Sequence, residues 1–198
     1  MADILSKDAI VAVVGAGAMG AGIAQVAAVA GHPVLLLDNR PGAAQTAIEG
    51  LRAQLGKLAD KGKMTVEAAQ AAGQRLQPAA QLSDLAPSGL VVEAIVESLA
   101  AKQQLFADLE KLVAADCIFG TNTSSISITA IGSVLKQPQR LAGLHFFNPA
   151  PVMALVEVVS GLATDPQVAE LLYATATAWG KTAVHAKSTP GFIVNRVA

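Results

Sequence analysis

The sequence predicts an α/β fold: a doubly wound, mostly parallel sheet with helices on both faces and antiparallel strands added near its C-terminal end. Three observations carry this prediction. Short apolar runs without polar alternation recur along the chain, as strands buried on both faces require. Segments of helical spacing separate those runs, which is the order a parallel sheet needs for its crossovers. In the last third, LAGLHFF (141–147) and ALVEVVSG (154–161) are joined only by NPAPVM, a link too short for a parallel crossover, so these two strands are expected to be antiparallel.

Each element has its own local reason. IVAVV (10–14) is the first strand and runs into glycines. Ala18 to Ala30 reads as an Ala-rich helix with Gly31 as its stop. Pro33 opens a second strand, VLLL, that ends at Asp38. Residues 43–60 and 65–73 read as helices parted by Lys61-Gly62-Lys63, and a short strand is expected at 75–79. LVVEAIV (90–96) is a buried strand, AKQQLFADLEKLVAA (101–115) an amphipathic helix and CIFGT (117–121) a strand. A helix over 165–179 and the strand TAVHAK (182–187) close the unit, and Pro190-Gly191 begins a new element. The expected division is one domain over 1–187, followed by a linker and the first turns of another over 188–198.

Composition narrows the function classes. Hydrophobic residues make up 53% and charged residues 15%, a balance that buries a core and opposes intrinsic disorder. The 14 Lys and Arg against 15 Asp and Glu leave a net charge of −1, without the broad positive field of a non-specific nucleic-acid binder. Gly, Pro or charge interrupts every apolar stretch before the roughly 18 residues of a membrane span. The single Cys117 excludes an intrachain disulfide framework and a thiolate metal cluster, and its place at the head of an apolar strand marks it as a buried small side chain. The three His lack close ligand spacing, so no metal is expected. MADILSKDAIVAVVG has scattered charges and no apolar segment followed by a cleavage site, from which a cytoplasmic location is expected.

Gly15-x-Gly17-x-x-Gly20 follows the first strand directly and opens the first helix. In a Rossmann-type turn the first glycine permits the tight bend, the second lets backbone approach a pyrophosphate, and the third lets helix pack on strand. The diphosphate then meets the N–H groups of the helix start, here including Ala18 and Met19. Asp38 ends the second strand 23 residues after Gly15, the position from which a carboxylate accepts from adenosine ribose hydroxyls. Its charge favours NAD over NADP, whose 2′-phosphate would meet like charge. Arg40 leaves two roles open: contact with such a phosphate, or an exposed side chain lying over the adenine.

Together with GAGAMGAGIAQVAAVAGHPVLLLD, the segments GTNTSSISIT (120–129), GLHFFNPAPVMALVEVV (143–159) and STPGFIVNR resemble the NAD-binding domain of the L-3-hydroxyacyl-CoA dehydrogenase family. The resemblance covers residues 8 to 198 and rests on four segments in order. It implies that His145 is the base that takes the proton of a 3-hydroxyl, with Glu157 as its partner. Independently of it, an imidazole titrates near neutrality, and a carboxylate on its far nitrogen fixes the tautomer and stabilises the imidazolium. The resemblance further implies that Ser124 hydrogen-bonds the substrate oxygen and that Asn195 contacts the same reacting region. Asn122 and Asn148 match positions near the nicotinamide and its ribose, and Glu97 and Lys102 match positions lining the cofactor cleft. Ser125 reads as a helix N-cap.

The implied activity is NAD-dependent oxidation of (S)-3-hydroxyacyl-CoA to 3-oxoacyl-CoA, as in fatty-acid, phenylacetate or butanoate metabolism. Readings that stay open are a 3-hydroxybutyryl-CoA or 3-hydroxyadipyl-CoA enzyme, an L-gulonate-type sugar-acid dehydrogenase, and a non-catalytic NAD-binding domain. Family members carry a further C-terminal helical domain that closes over the acyl-CoA substrate and makes much of a homodimer contact. The 198-residue chain alone is therefore expected to bind NAD and to be weakly active or inactive.

Overall fold

The computed structural model describes residues 4–189 and 192–193. Eight strands form one sheet in the order β3-β2-β1-β4-β5-β6-β7-β8. They are β1 (Ile10–Val14), β2 (Val34–Leu37), β3 (Leu76–Pro78), β4 (Ser88–Glu93), β5 (Ile118–Thr121), β6 (Leu141–Phe146), β7 (Leu155–Ser160) and β8 (Thr182–Lys187). Every pairing from β3 to β6 is parallel, β6 and β7 are antiparallel, and β8 runs parallel to β7.

Strand β1 shows why these runs are apolar throughout. Val11 and Val13 point to the face of the sheet whose core is shared with α1 (Ala18–Ala30), α2 (Ala43–Asp60), α3 (Val66–Arg75) and α6 (Pro166–Ala178). Ala12 and Val14 pack on the other, against Phe106 and Leu109 of α4 (Leu99–Glu110) and Ile128 and Ile131 of α5 (Ile128–Gly132). Successive side chains point to opposite faces, so a strand covered on both sides must be apolar at every position.

The boundaries differ from expectation where side chains take over from periodicity. Strand β4 ends at Glu93 rather than at 96, because the Glu93 carboxylate turns back to accept the N–H of Ile95 at 2.7 Å. Helix α4 starts earlier, since Ser98 caps it by accepting the N–H of Ala101, and it stops at Glu110 rather than at 115. Helix α5 was not expected; its N-cap is Ser127, accepting from Ala130, so Ser125 is not the cap that the sequence suggests. Cys117 is buried, which pushes its thiol up to about 12.

Order 3-2-1-4-5-6 reverses direction between β1 and β4, and the cleft of such a sheet opens beyond the C-terminal ends of those two strands. Gly15 to Gly20 follow β1 there, Ala94 to Glu97 follow β4, and Asn122 to Ser125 follow β5.

Candidate active site

Gly15 turns the chain with φ 105°, a conformation that favours glycine, and a Cβ there would strike the carbonyl of Ala94. A Cβ on Gly20 would strike the carbonyl of Gly15, so this glycine lets α1 sit tightly on the turn. Gly17 is different. Its φ of −71° suits any residue, and a Cβ there would meet nothing within 4 Å. Among the described residues nothing requires glycine at 17, which fits a turn kept bare for the approach of a bound diphosphate. Gly17 is also the N-cap of α1 and supplies no side-chain bond, so among the described residues no cap side chain takes up the first-turn N–H groups of this helix. The glycine turn and the carboxylate beside it thus fit a dinucleotide.

That carboxylate is Asp38. Its Oδ2 accepts the N–H of Ala16 at 2.7 Å, which ties the end of β2 to the glycine turn. Arg40 donates from its backbone N–H and its Nε to Oδ1, both at 2.9 Å, and from Nη2 to Oδ2 at 3.2 Å. The Arg40 guanidinium, outweighing the burial of Asp38, holds its carboxyl at about 2. Gly15, Gly17, Asp38 and Arg40 line a cleft of about 860 Å³ together with Leu82 and Leu105.

A second cleft, of about 480 Å³, shares Ala94 and Ile95 with the first. Met19, Glu97, Asn122, Ser124, His145 and Asn148 line it. His145 and Glu157 are paired directly across β6 and β7, so both project to the same face. His145 Nδ1 lies 2.8 Å from Glu157 Oε2, and both side chains are buried. The other carboxylate oxygen, Oε1, accepts the N–H of Ile193 at 3.0 Å. Phe147 and Phe192 pack on the imidazole, with centroids at 4.5 and 5.8 Å.

Glu97 organises the turn that bears Ser124. Its Oε1 accepts the Thr123 hydroxyl at 2.6 Å and the N–H groups of Ser124 and Ser125 at 3.0 and 3.3 Å. Burial would raise the Glu97 carboxyl, but the Thr123 hydroxyl and the Lys102 charge outweigh it, and the net direction is down. Lys102 lies beneath, 1% exposed, with Nζ at 2.6 Å from Glu93 and 3.3 Å from Glu97. It meets the cleft through Glu97. Asn122 accepts the N–H of Phe146 on its Oδ1 at 2.8 Å, extending the β5–β6 ladder to the residue after His145.

The structure places Gly15, Gly17, Asp38 and Arg40 on one cleft and Met19, Glu97, Asn122, Ser124, His145 and Asn148 on the adjoining one, with Glu157 behind His145 and Lys102 behind Glu97; Asn195 lies outside the described residues. The structure also adds Glu93, Thr121 and Thr123. Glu93 is fully buried and accepts from Lys102, Ile95 and the Thr121 hydroxyl, the last at 2.7 Å. The signal for it was a lone carboxylate inside the apolar run LVVEAIV. His32 and His185 are elsewhere: His32 donates from Nδ1 to the carbonyl of Ala9, and His185 stacks on Tyr173.

The family model for the 3-hydroxyacyl-CoA dehydrogenase NAD-binding domain matches residues 10–189. The chain is 53% identical over 188 residues to 3-hydroxyadipyl-CoA dehydrogenase of Escherichia coli K12, covering 95% of this chain and 40% of that enzyme. It is 44% identical over 199 residues to human mitochondrial hydroxyacyl-coenzyme A dehydrogenase, covering 94% of this chain and 62% of that one. The crystal structure of 3-hydroxybutyryl-CoA dehydrogenase from Escherichia coli K12 superposes with a TM-score of 0.94 at 52% identity, over 96% of this chain and 40% of that one. The chain thus spans less than two thirds of each of these relatives. By its sequence and its fold, this chain belongs to the 3-hydroxyacyl-CoA dehydrogenase family, as an NAD-binding domain.

Proposed function

We propose that this chain is the cofactor-binding and proton-handling part of an NAD-dependent dehydrogenase that interconverts (S)-3-hydroxyacyl-CoA and 3-oxoacyl-CoA. The observation that carries this reading is the buried His145–Glu157 pair, held at 2.8 Å and opening on the cleft that Ser124 and Asn148 also line. NAD, when bound, supplies the hydride acceptor. The chain supplies placement and proton management.

His145 takes the proton of the substrate hydroxyl on Nε2, since Nδ1 is engaged by Glu157. The carboxylate fixes that tautomer and stabilises the imidazolium that forms. Ser124 donates its hydroxyl to the same substrate oxygen from the turn that Glu97 holds. The Gly15, Gly17, Ala18, Met19 and Gly20 backbone cradles the diphosphate, and Asp38 takes the adenosine ribose. Asn122, Asn148 and Glu97 border the nicotinamide end, with Lys102 acting through Glu97. Asn195 joins the reacting region on the strength of the family resemblance alone.

The same reading assigns a domain boundary near residue 187, a C-terminal helical domain closing over the acyl-CoA, a homodimer formed through it and a cytoplasmic address. Among the described residues no helix is long and apolar enough to cross a membrane. The test is an assay of the full-length polypeptide with acetoacetyl-CoA and NADH, set beside L-gulonate and NAD. Acetoacetyl-CoA is expected to be reduced, and His145→Ala to lower turnover by at least about 10²-fold, the usual worth of positioned proton transfer. Turnover of L-gulonate alone, or an unchanged rate in His145→Ala, would overturn the proposal.

A further inference from the structure

Asp38 has more donors than a ribose site can keep. An ionised carboxylate offers about four acceptor positions. On Asp38 all four are taken: the N–H of Ala16 at 2.7 Å and Arg40 Nη2 at 3.2 Å on Oδ2, and the N–H and Nε of Arg40, both at 2.9 Å, on Oδ1. Two of these donors are backbone groups of the turns that shape the cleft, and they cannot leave without remaking those turns. The other two belong to one guanidinium whose side chain is 68% exposed and can swing into solvent.

We infer that Arg40 sets the cofactor selectivity of this chain, competing with the ribose hydroxyls of NAD for Asp38 and serving as the partner of the 2′-phosphate when NADP binds. The inference rests on the reading of Asp38 as the ribose partner. Hydroxyls that donate to Asp38 must take the two positions the guanidinium holds, so binding of NAD is an exchange rather than a simple addition. A 2′-phosphate arrives at the same place with the opposite preference. It meets like charge on Asp38, but it accepts well from a planar two-pronged guanidinium already stationed there. One side chain thus weakens the favoured dinucleotide and supports the disfavoured one. The chain discriminates less sharply between them than Asp38 alone would.

The experiment is a fluorescence titration of the 198-residue chain with NADH and NADPH, in the native protein, Arg40→Ala and Asp38→Asn, with melting curves alongside. Arg40→Ala is expected to tighten NADH and weaken NADPH, widening the ratio of dissociation constants by about tenfold, the worth of one charge-assisted hydrogen bond. A ratio unchanged within about twofold, or a narrower one, overturns the inference. Asp38→Asn separates it from the reading beneath. NADH binding unaffected by Asp38→Asn overturns the ribose assignment itself, whereas weakened NADH binding there with an unchanged ratio in Arg40→Ala overturns only the role of Arg40.

Discussion

Asp38 and His145 are placed by quite different means. Asp38 is held by its immediate surroundings: the Arg40 guanidinium first, then the N–H groups of Ala16 and Arg40, keep its carboxyl at about 2, below the ordinary 3.8. A carboxyl lowered on folding contributes stability above its unfolded value and loses that contribution as pH falls through its folded value. Acid should therefore remove the stability contributed by Asp38 as pH falls from about 4 to about 2. In Arg40→Ala the carboxyl titration, followed by carbon NMR, should move up toward 3.8; a midpoint still near 2 would assign the effect to the backbone donors. His145 depends instead on a partner twelve positions away, brought opposite it by the β6–β7 pairing. Glu157→Gln keeps the shape but lets an amide N–H face Nδ1, favouring the wrong tautomer. In the full-length polypeptide it should lower turnover by at least about 10²-fold with little change in apparent substrate affinity, as steady-state kinetics would show.

At the scale of elements, the β1–α1 turn separates two reasons for a motif to contain glycine. Gly20→Ala would drive a methyl into the Gly15 carbonyl, and chemical denaturation should report a loss of about 1–3 kcal/mol, the usual cost of overpacking. Gly17→Ala meets open space, so its denaturation midpoint should match the native protein. Its NADH affinity should nevertheless fall by about tenfold or more, since a methyl there stands where backbone must approach the diphosphate. Native affinity in Gly17→Ala would detach the turn from the cofactor. The elements themselves were legible because their apolar runs and helical periods are long. Their ends were less so: β4 stops at Glu93, and α4 begins at Leu99, because single side chains, Glu93 and Ser98, bond the backbone at those points. Helix α5, with five residues, is too short for a period to declare itself.

Across the whole molecule, one sheet divides two cores, and the cleft sits where the crossovers part between β1 and β4. The face under α4 is anchored by Phe106, which is fully buried and lies 5.2 Å from the ring of Phe119. Phe106→Ala should lower stability by about 3–5 kcal/mol, read as a fall in thermal midpoint, because the cavity it leaves lies between packed sheet and helix. The buried ion pair of Lys102 and Glu93 sits at the edge of that core and ties α4 to β4 at the cleft floor. Lys102 thus bridges buried Glu93 to Glu97, which lies on the cleft that Ser124 and His145 also line.

By itself the sequence determined the strand order, the longer helices, the antiparallel junction of β6 and β7 and the glycine turn with its terminal Asp38, because each is written in contiguous residues and obeys local geometry. Through family resemblance it also named His145, Glu157 and Ser124. Only the tertiary structure decided what these groups touch. That Glu93 and Lys102 neutralise one another beneath Glu97, that Glu97 gathers the Ser124 turn, and that Arg40 fills the acceptor positions of Asp38 are matters of distance and orientation. Hydrogen bonds and ion pairs act over about 3 Å. A pattern of residue types along the chain specifies which groups are available, and the folded sheet brings them within that reach.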